Sequence, residues 1–246
     1  MNKLNSIKAG SFSRLSTYQE CPRRAELAYI NKIKEPDRGI GPLTAPDGTK
    51  EWHNDRGSRI HQLAEDYVAG ILGPKLPPEL RKFEKEYKEL RKLHKTGKVI
   101  NEEMWCYDND WMPCASDAWD TIYFRIITDA TVFHTKKKAT VIDYKTGRKF
   151  GNEIKHGQQA QLYQLGAFLR YPDLQEITTE IWYLDQNEIA VMEFNRNQGM
   201  RFFKHWDGRM KAMTQEVQFK PTPNGNSCRW CPYKPSKTGD CSVGIG

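Results

Sequence analysis

The sequence of 246 residues has no apolar run approaching the roughly 18 residues that a membrane-spanning helix needs, which argues against a transmembrane helix. Its opening stretch, Met1 to Gly10, holds Lys3 and Lys8 but lacks the apolar core of a secretory signal, so export is not expected and a cytoplasmic location is. Internal repeats and low-complexity tracts are missing as well, which excludes a solenoid or a long flexible linker. Neither charge sign dominates: 38 Lys and Arg face 31 Asp and Glu, a net +7. Such an excess suits a polyanionic partner but also serves solubility alone, so charge does not decide the function. Cysteines are few, six in all, and without an export signal they are not expected to pair as disulfides. Metal ligation becomes their leading use.

What is present alternates between two periodicities. Ser11 to Ile30 reads as helix, with Ser11 or Ser13 as cap and Pro22 as a break after Cys21. Lys34 to Trp52, rich in Pro, Gly and Asp, reads as loop. Ile60, Leu63, Ala64, Tyr67, Val68 and Ile71 recur at steps of three and four from Gly57 onward, ending at Gly70, and a second amphipathic helix covers Glu79 to Leu93. Thr121 to Phe133 and Ala139 to Tyr144 are β-branched and aromatic around the polar turn His134 to Lys138, which predicts a hairpin. Lys155 to Leu169 is helical, Ile177 to Leu184 and Glu188 to Phe194 are strands, and Asn197 to Gln215 is a last helix before the turn-rich Pro221 to Ser227. The expectation is one α/β domain, with room for a small appendage.

The sharpest segment is Val141-Ile142-Asp143-Tyr144-Lys145, where strand alternation puts Asp143 and Lys145 on one face and Tyr144 on the other. Phosphodiester hydrolysis needs a divalent cation to polarise the phosphate and a fixed ammonium to stabilise the charge that builds on its oxygens. A carboxylate and a lysine two residues apart supply both, although an arbitrary D-x-K is more often a surface ion pair. Asp129, among Ile126, Ile127, Val132 and Phe133, falls across the expected hairpin from Asp143, and two such charges repel unless a cation lies between them. His61 is a third candidate ligand, though a lone histidine is more often a satisfied core residue. Gln159 and Tyr163, four apart on a helix, share one face, for which ordinary packing is the plain explanation.

His61, Asp129, Asp143-Tyr144-Lys145 and Gln159-x3-Tyr163, in this order, resemble the RecB-like exonuclease branch of the PD-(D/E)XK nuclease superfamily, as does the opening Ser13-Arg14-Leu15 to Cys21-Pro22-Arg23-Arg24. The resemblance implies a restriction-endonuclease-like core over residues 1–246, a single nuclease domain with a central mixed β-sheet flanked by helices. It implies His61, Asp129, Asp143 and the Tyr144 carbonyl as metal ligands, Lys145 as the catalytic amine, and Gln159 and Tyr163 as positioning groups. Thr128 stands where the family's pattern has Pro, and Asp143 where it has Glu. With an imidazole beside oxygen ligands, Mg2+ or Mn2+ is expected, with better activity in Mn2+.

Cys228-Arg229-Trp230-Cys231, followed by Cys241, supplies three thiolates that want a fourth. Spacing alone leaves Cys21, Cys106 and Cys114 as candidates. The resemblance, to CRISPR-associated and AddB-type nuclease domains, implies Cys21, so that Cys21, Cys228, Cys231 and Cys241 would hold a [4Fe-4S] cluster, with residues 221–246 packed against the N-terminal helix. Structural Zn2+ is the alternative. The functional expectation is a deoxyribonuclease, an exonuclease on single strands or DNA ends in repair or recombination, with room for a helicase or recombination partner. Its rival is a catalytically silent nucleic-acid-binding or accessory subunit.

Overall fold

The structure is a computed structural model that describes residues 6–245; Lys3, part of the N-terminal reading, lies outside them. Along the chain the elements are α1 (Phe12–Glu20), α2 (Pro22–Tyr29), β1 (Leu43–Thr44), β2 (Lys50–Glu51), α3 (His53–Ala69), a 3-10 turn (Pro78–Phe83) and α4 (Glu84–Lys95). Then follow β3 (Val99–Tyr107), β4 (Pro113–Cys114), β5 (Phe124–Thr135), β6 (Lys138–Lys145), α5 (Glu153–Arg170), β7 (Glu176–Tyr183), β8 (Glu188–Asn195), α6 (Arg196–Met200), α7 (Phe203–Thr214) and α8 (Gly225–Arg229). No described helix is long and apolar enough to cross a membrane.

Contacts divide the chain into two units, one of Met1–Gly39, Cys106–Arg125 and Lys204–Gly246, the other of Ile40–Trp105 and Ile126–Phe203. In the second unit the strands lie in the order β3-β5-β6-β7-β8. The β5–β6 and β7–β8 pairs are antiparallel, while β6 and β7 run parallel from Lys138↔Glu176 to Lys145↔Tyr183. Parallel neighbours need a crossover, which α5 supplies. The sheet is therefore mixed and flanked by helices. Strand β6 is buried from Ala139 through Tyr144, as a central strand covered on both faces must be. Ile142 and Tyr144 pack with Ile60, Tyr67, Tyr87 and Trp182 in the larger apolar cluster, which α3 and α4 complete.

Several elements depart from the sequence-based expectation for local reasons. Helix α3 starts at His53, ahead of Gly57, because the Asp55 carboxylate accepts a hydrogen bond at 3.1 Å from the Trp52 N–H, and it ends as expected at Gly70, whose φ of 85° is left-handed. The expected helix over Glu79 to Leu93 is a 3-10 turn that passes into α4. The loop over Lys34 to Trp52 contains the two-residue pair β1–β2. The last predicted helix is two helices, α6 and α7. A Cβ at Gly199 in α6 would stand 2.1 Å from Gln164 Oε1 and 2.5 Å from the Phe168 ring, so only glycine admits this close approach to α5. Residues 99–107, which carry no clean alternation, form β3.

The first unit is built on aromatic packing. Trp111 packs tilted against Phe124 with 5.2 Å between ring centres, and Phe12 meets Trp206 edge-on at 6.3 Å. Ser11 caps α1 by accepting a 3.3 Å hydrogen bond from the Arg14 N–H, and Pro22 starts α2 at its first position, where no N–H is needed. Hydrogen bonds join the two ends of the chain within this unit, among them the Tyr18 hydroxyl donating to the Ala212 carbonyl at 2.9 Å, Thr222 to the Glu20 carbonyl at 3.1 Å, and Tyr233 to the Ile33 carbonyl at 3.2 Å.

Candidate active site

The second unit gathers the residues singled out in the sequence. The β5–β6 ladder is in register through Ala130↔Ile142, so Asp129 and Asp143 are the next opposed positions, as the hairpin predicted. The Tyr144 N–H donates to Asp129 Oδ2 at 2.5 Å, and His61 Nδ1 lies 2.9 Å from Asp129 Oδ1. On β6, Lys145 Nζ stands 2.6 Å from Asp143 Oδ2. Helix α5 closes the arrangement: the Gln159 amide donates to Asp143 Oδ1 at 3.1 Å and to the Tyr163 hydroxyl at 2.7 Å. Tyr163 itself is buried.

The electrostatics of this group are unfavourable as it stands. Burial pushes the Asp143 carboxyl above its ordinary value, and the charge of Asp129 adds to this, while Lys145 pulls the other way. Asp143 Oδ2, buried beside the lysine, accepts no well-directed hydrogen bond. Burial lowers the His61 imidazole, but its hydrogen bond to Asp129 and the nearby charge outweigh this, and the net shift is upward. A cation placed among these groups would relieve the repulsion between the two carboxylates.

One acidic residue was not foreseen. His61, Glu102 and Asp129 each present a ligand atom, all within 4.8 Å of one another, and among the described residues they are the group able to hold a metal ion. Glu102 sits in β3 with φ of 46°, a left-handed conformation that interrupts the strand. Its carboxyl is raised, first by burial and then by Asp129 and Glu65. The neighbouring Glu103 is already engaged, by Arg170 at 2.9 Å, Tyr171 at 2.8 Å and the Trp105 indole at 2.7 Å. An open cleft lined by Gly57, Ser58, His61, Gln62, Glu65 and Glu102 leads to this group. The adjacent pair Glu102-Glu103 inside a segment ending Trp105-Cys106-Tyr107 was the available signal for a strand bearing carboxylates. His156 was missed too; burial, with Lys145 and Lys155 nearby, lowers its pKa to about 4, so it is neutral near pH 7.

In the first unit, Cys21, Cys228, Cys231 and Cys241 line one small cavity, together with Arg24, Leu27 and Pro221 among others. Cys106 stands opposite Cys114 on β3 and β4 instead. The Cys228 thiol is held below its ordinary value, chiefly by a backbone hydrogen bond from Ile245, whereas burial pushes Cys231 up. Directed amides of this kind favour a thiolate.

The family model of the PD-(D/E)XK nuclease superfamily matches residues 9–236, nearly the whole chain. The chain belongs to the PD-(D/E)XK nuclease superfamily. Two crystal structures are similar to this PD-(D/E)XK chain. One, of SSO0001, is 16% identical over 97% of this chain and 88% of its own, with a TM-score of 0.49. The other, of an alkaline exonuclease (LHK-Exo) from Laribacter hongkongensis, is 13% identical over 87% of this chain and 89% of its own, with a TM-score of 0.34. No curated protein matches this superfamily member.

Proposed function

We propose that the chain is a metal-dependent deoxyribonuclease of the RecB-like branch, an exonuclease that hydrolyses phosphodiester bonds in single strands or at DNA ends. The observation that carries this is the convergence of His61, Asp129, Asp143 and Lys145, with Asp143 and Lys145 paired at 2.6 Å and His61 and Asp129 at 2.9 Å. His61, Asp129 and Asp143, with the Tyr144 carbonyl, are the proposed ligands, and Glu102 joins them from β3. A Mg2+ or Mn2+ ion bound there would polarise the scissile phosphate and acidify a water.

The chain's own groups divide the remaining work. In the free chain Asp129 and His61 Nδ1 share a hydrogen bond, and a cation taking both donor atoms would replace it. Lys145 is the ammonium that stabilises charge on the phosphate oxygens, and Asp143 holds it in place. Gln159 orients Asp143, and Tyr163 orients Gln159. In the first unit, we assign Cys21, Cys228, Cys231 and Cys241 to a [4Fe-4S] cluster, with Zn2+ as the alternative for the same thiolates. The proposal takes residues 1–246 as one nuclease domain in which residues 221–246 pack with the N-terminal helix around Cys21. It places the enzyme in recombination or repair, with a helicase as partner.

Digestion of end-labelled single-stranded and duplex DNA with added metal tests the reading. The expected result is shortening from the ends with Mn2+ and, more slowly, with Mg2+, and loss of cleavage in the Lys145→Ala variant. Equal or faster turnover in Ca2+, or an active Lys145→Ala protein, would refute it.

Acid should oppose the metal. Burial and the charge of Asp129 make the Asp143 carboxyl hold its proton more tightly than an ordinary carboxyl does, and a proton there competes with the cation. Activity therefore falls as pH is lowered, and a tenfold rise in Mn2+ moves this acid limb down by up to about one pH unit if one proton is exchanged per ion. An acid limb that ignores metal concentration would separate the titration from metal binding.

A further inference from the structure

The loop between β6 and α5 links the paired Asp143 and Lys145 to the helix that carries Gln159, and this loop and the first turn of α5 present two large apolar side chains to water. Phe150 is 89% exposed and Ile154 81%. Scattered exposed apolar residues are ordinary, but these two lie close together in a segment whose charge is one-sided. Residues 145–155 contain Lys145, Arg148, Lys149 and Lys155 against Glu153 alone.

The loop is also pinned. Arg56 forks onto the Asp185 carboxylate at 2.7 and 3.0 Å and donates to the Thr146 carbonyl at 3.0 Å. Lys149 pairs with Glu188 and lies 5.6 Å from the centre of the Tyr183 ring. The Asn152 side chain donates to the Arg148 carbonyl at 3.0 Å, and its backbone N–H to the Lys149 carbonyl at 2.9 Å. Gly151, with φ of 84°, makes the turn that follows Phe150. Phe150 thus projects from a braced frame. No residue of the free chain buries this ring.

We propose that Phe150, supported by Ile154, stacks on an unpaired base of the DNA strand whose phosphate is presented to Lys145. The inference rests on the nuclease reading and gives its site a preference for single-stranded or frayed DNA. Aromatic faces accept any base, and the flanking Arg148 and Lys155 supply charge for the adjoining phosphates, which is the combination that sequence-tolerant single-strand binders use.

Binding of labelled oligo-dT in EDTA, followed by fluorescence anisotropy, tests this without turnover. Phe150→Ala should raise Kd about five- to a hundredfold, the range expected for one lost base stack, and Phe150→Trp should restore affinity. In an oligonucleotide with one abasic position moved along it, a single position should abolish the difference between the wild-type protein and Phe150→Ala. Because Phe150 is exposed, the melting temperature of the variant serves as a check that the fold is intact. Equal affinities for all oligonucleotides would overturn the proposal and leave the patch to another partner, such as a protein; a loss unaffected by any abasic position would overturn stacking. The two readings fail separately. If the wild-type protein cleaves no DNA but Phe150→Ala still weakens base-dependent binding, the nuclease reading falls and the stack stands.

Discussion

The Asp143→Asn variant should lose DNA cleavage by about a thousandfold or more, equivalent to about 4 kcal/mol of transition-state stabilisation, while its fold is kept or strengthened. Both halves follow from where Asp143 sits. Its strand is buried on both faces, and its carboxylate is disfavoured there by burial and by Asp129. A folded-state pKa above the unfolded value means that the ionised form weakens the fold at neutral pH. The neutral amide removes that cost. It also removes the anion that holds Lys145 at 2.6 Å, and with it one of the proposed ligands for the cation.

Thermal melting with and without Mn2+ distinguishes this account from a structural role for Asp143. Without metal, Asp143→Asn should melt no lower than the wild-type protein. Added Mn2+ should raise Tm of the wild-type protein by mass action and leave the variant unmoved. A variant that melts markedly lower in metal-free buffer would make Asp143 a structural ion-pair partner instead. Glu102→Gln should show the same pattern weakened, with activity down about 10- to 100-fold, the range typical when a supporting metal contact is lost. Glu102 is the more exposed of the two, so water can compensate there for part of what the carboxylate supplied.

The sequence carried the site further than it carried the fold's details. Alternation along Val141 to Lys145 was enough to face Asp143 and Lys145 together, because a strand's period is fixed by its backbone. The opposed position of Asp129 needed only a hairpin of roughly correct length. His61 and Gln159 lie at distances in the chain that no local pattern connects; only the ordered resemblance joined them, and the folded unit brings both within hydrogen-bond reach of an aspartate. Glu102 escaped because β3 is irregular at that point: a left-handed residue breaks the alternation by which strands are recognised. The division of the last expected helix at residues 200–203 depends on Gly199 meeting Gln164 and Phe168, a contact between elements that periodicity does not encode. Phe150 was invisible for the opposite reason. Exposure is a property of the finished fold, and an apolar residue in a loop looks the same in sequence whether it ends buried or bare.

The second large effect belongs to the cysteines. Cys231→Ser should lower stability by about 4 kcal/mol and Tm by about 8–16 °C for a chain of this size, with loss of bound metal. Cys231 lines the same cavity as Cys21, Cys228 and Cys241, which brings a residue between α1 and α2 together with residues more than 200 positions later. The hydrogen bonds from Tyr18, Thr222 and Tyr233 already span these segments, but each neutral bond contributes only about 1 kcal/mol. Four thiolates on a shared metal or cluster would close the same loop more strongly, and binding free energy at such a site is folding free energy. Serine cannot replace the thiolate, and it leaves the remaining sulfurs one ligand short. Metal analysis and visible absorbance tell which group is lost: a brown protein that bleaches in the variant held iron and sulfide, a colourless one that loses stoichiometric zinc held Zn2+. None of these cysteines is among the groups gathered around Asp143, so cleavage per folded molecule should survive the substitution. A Cys231→Ser protein with unchanged melting and unchanged metal content would remove the shared site altogether.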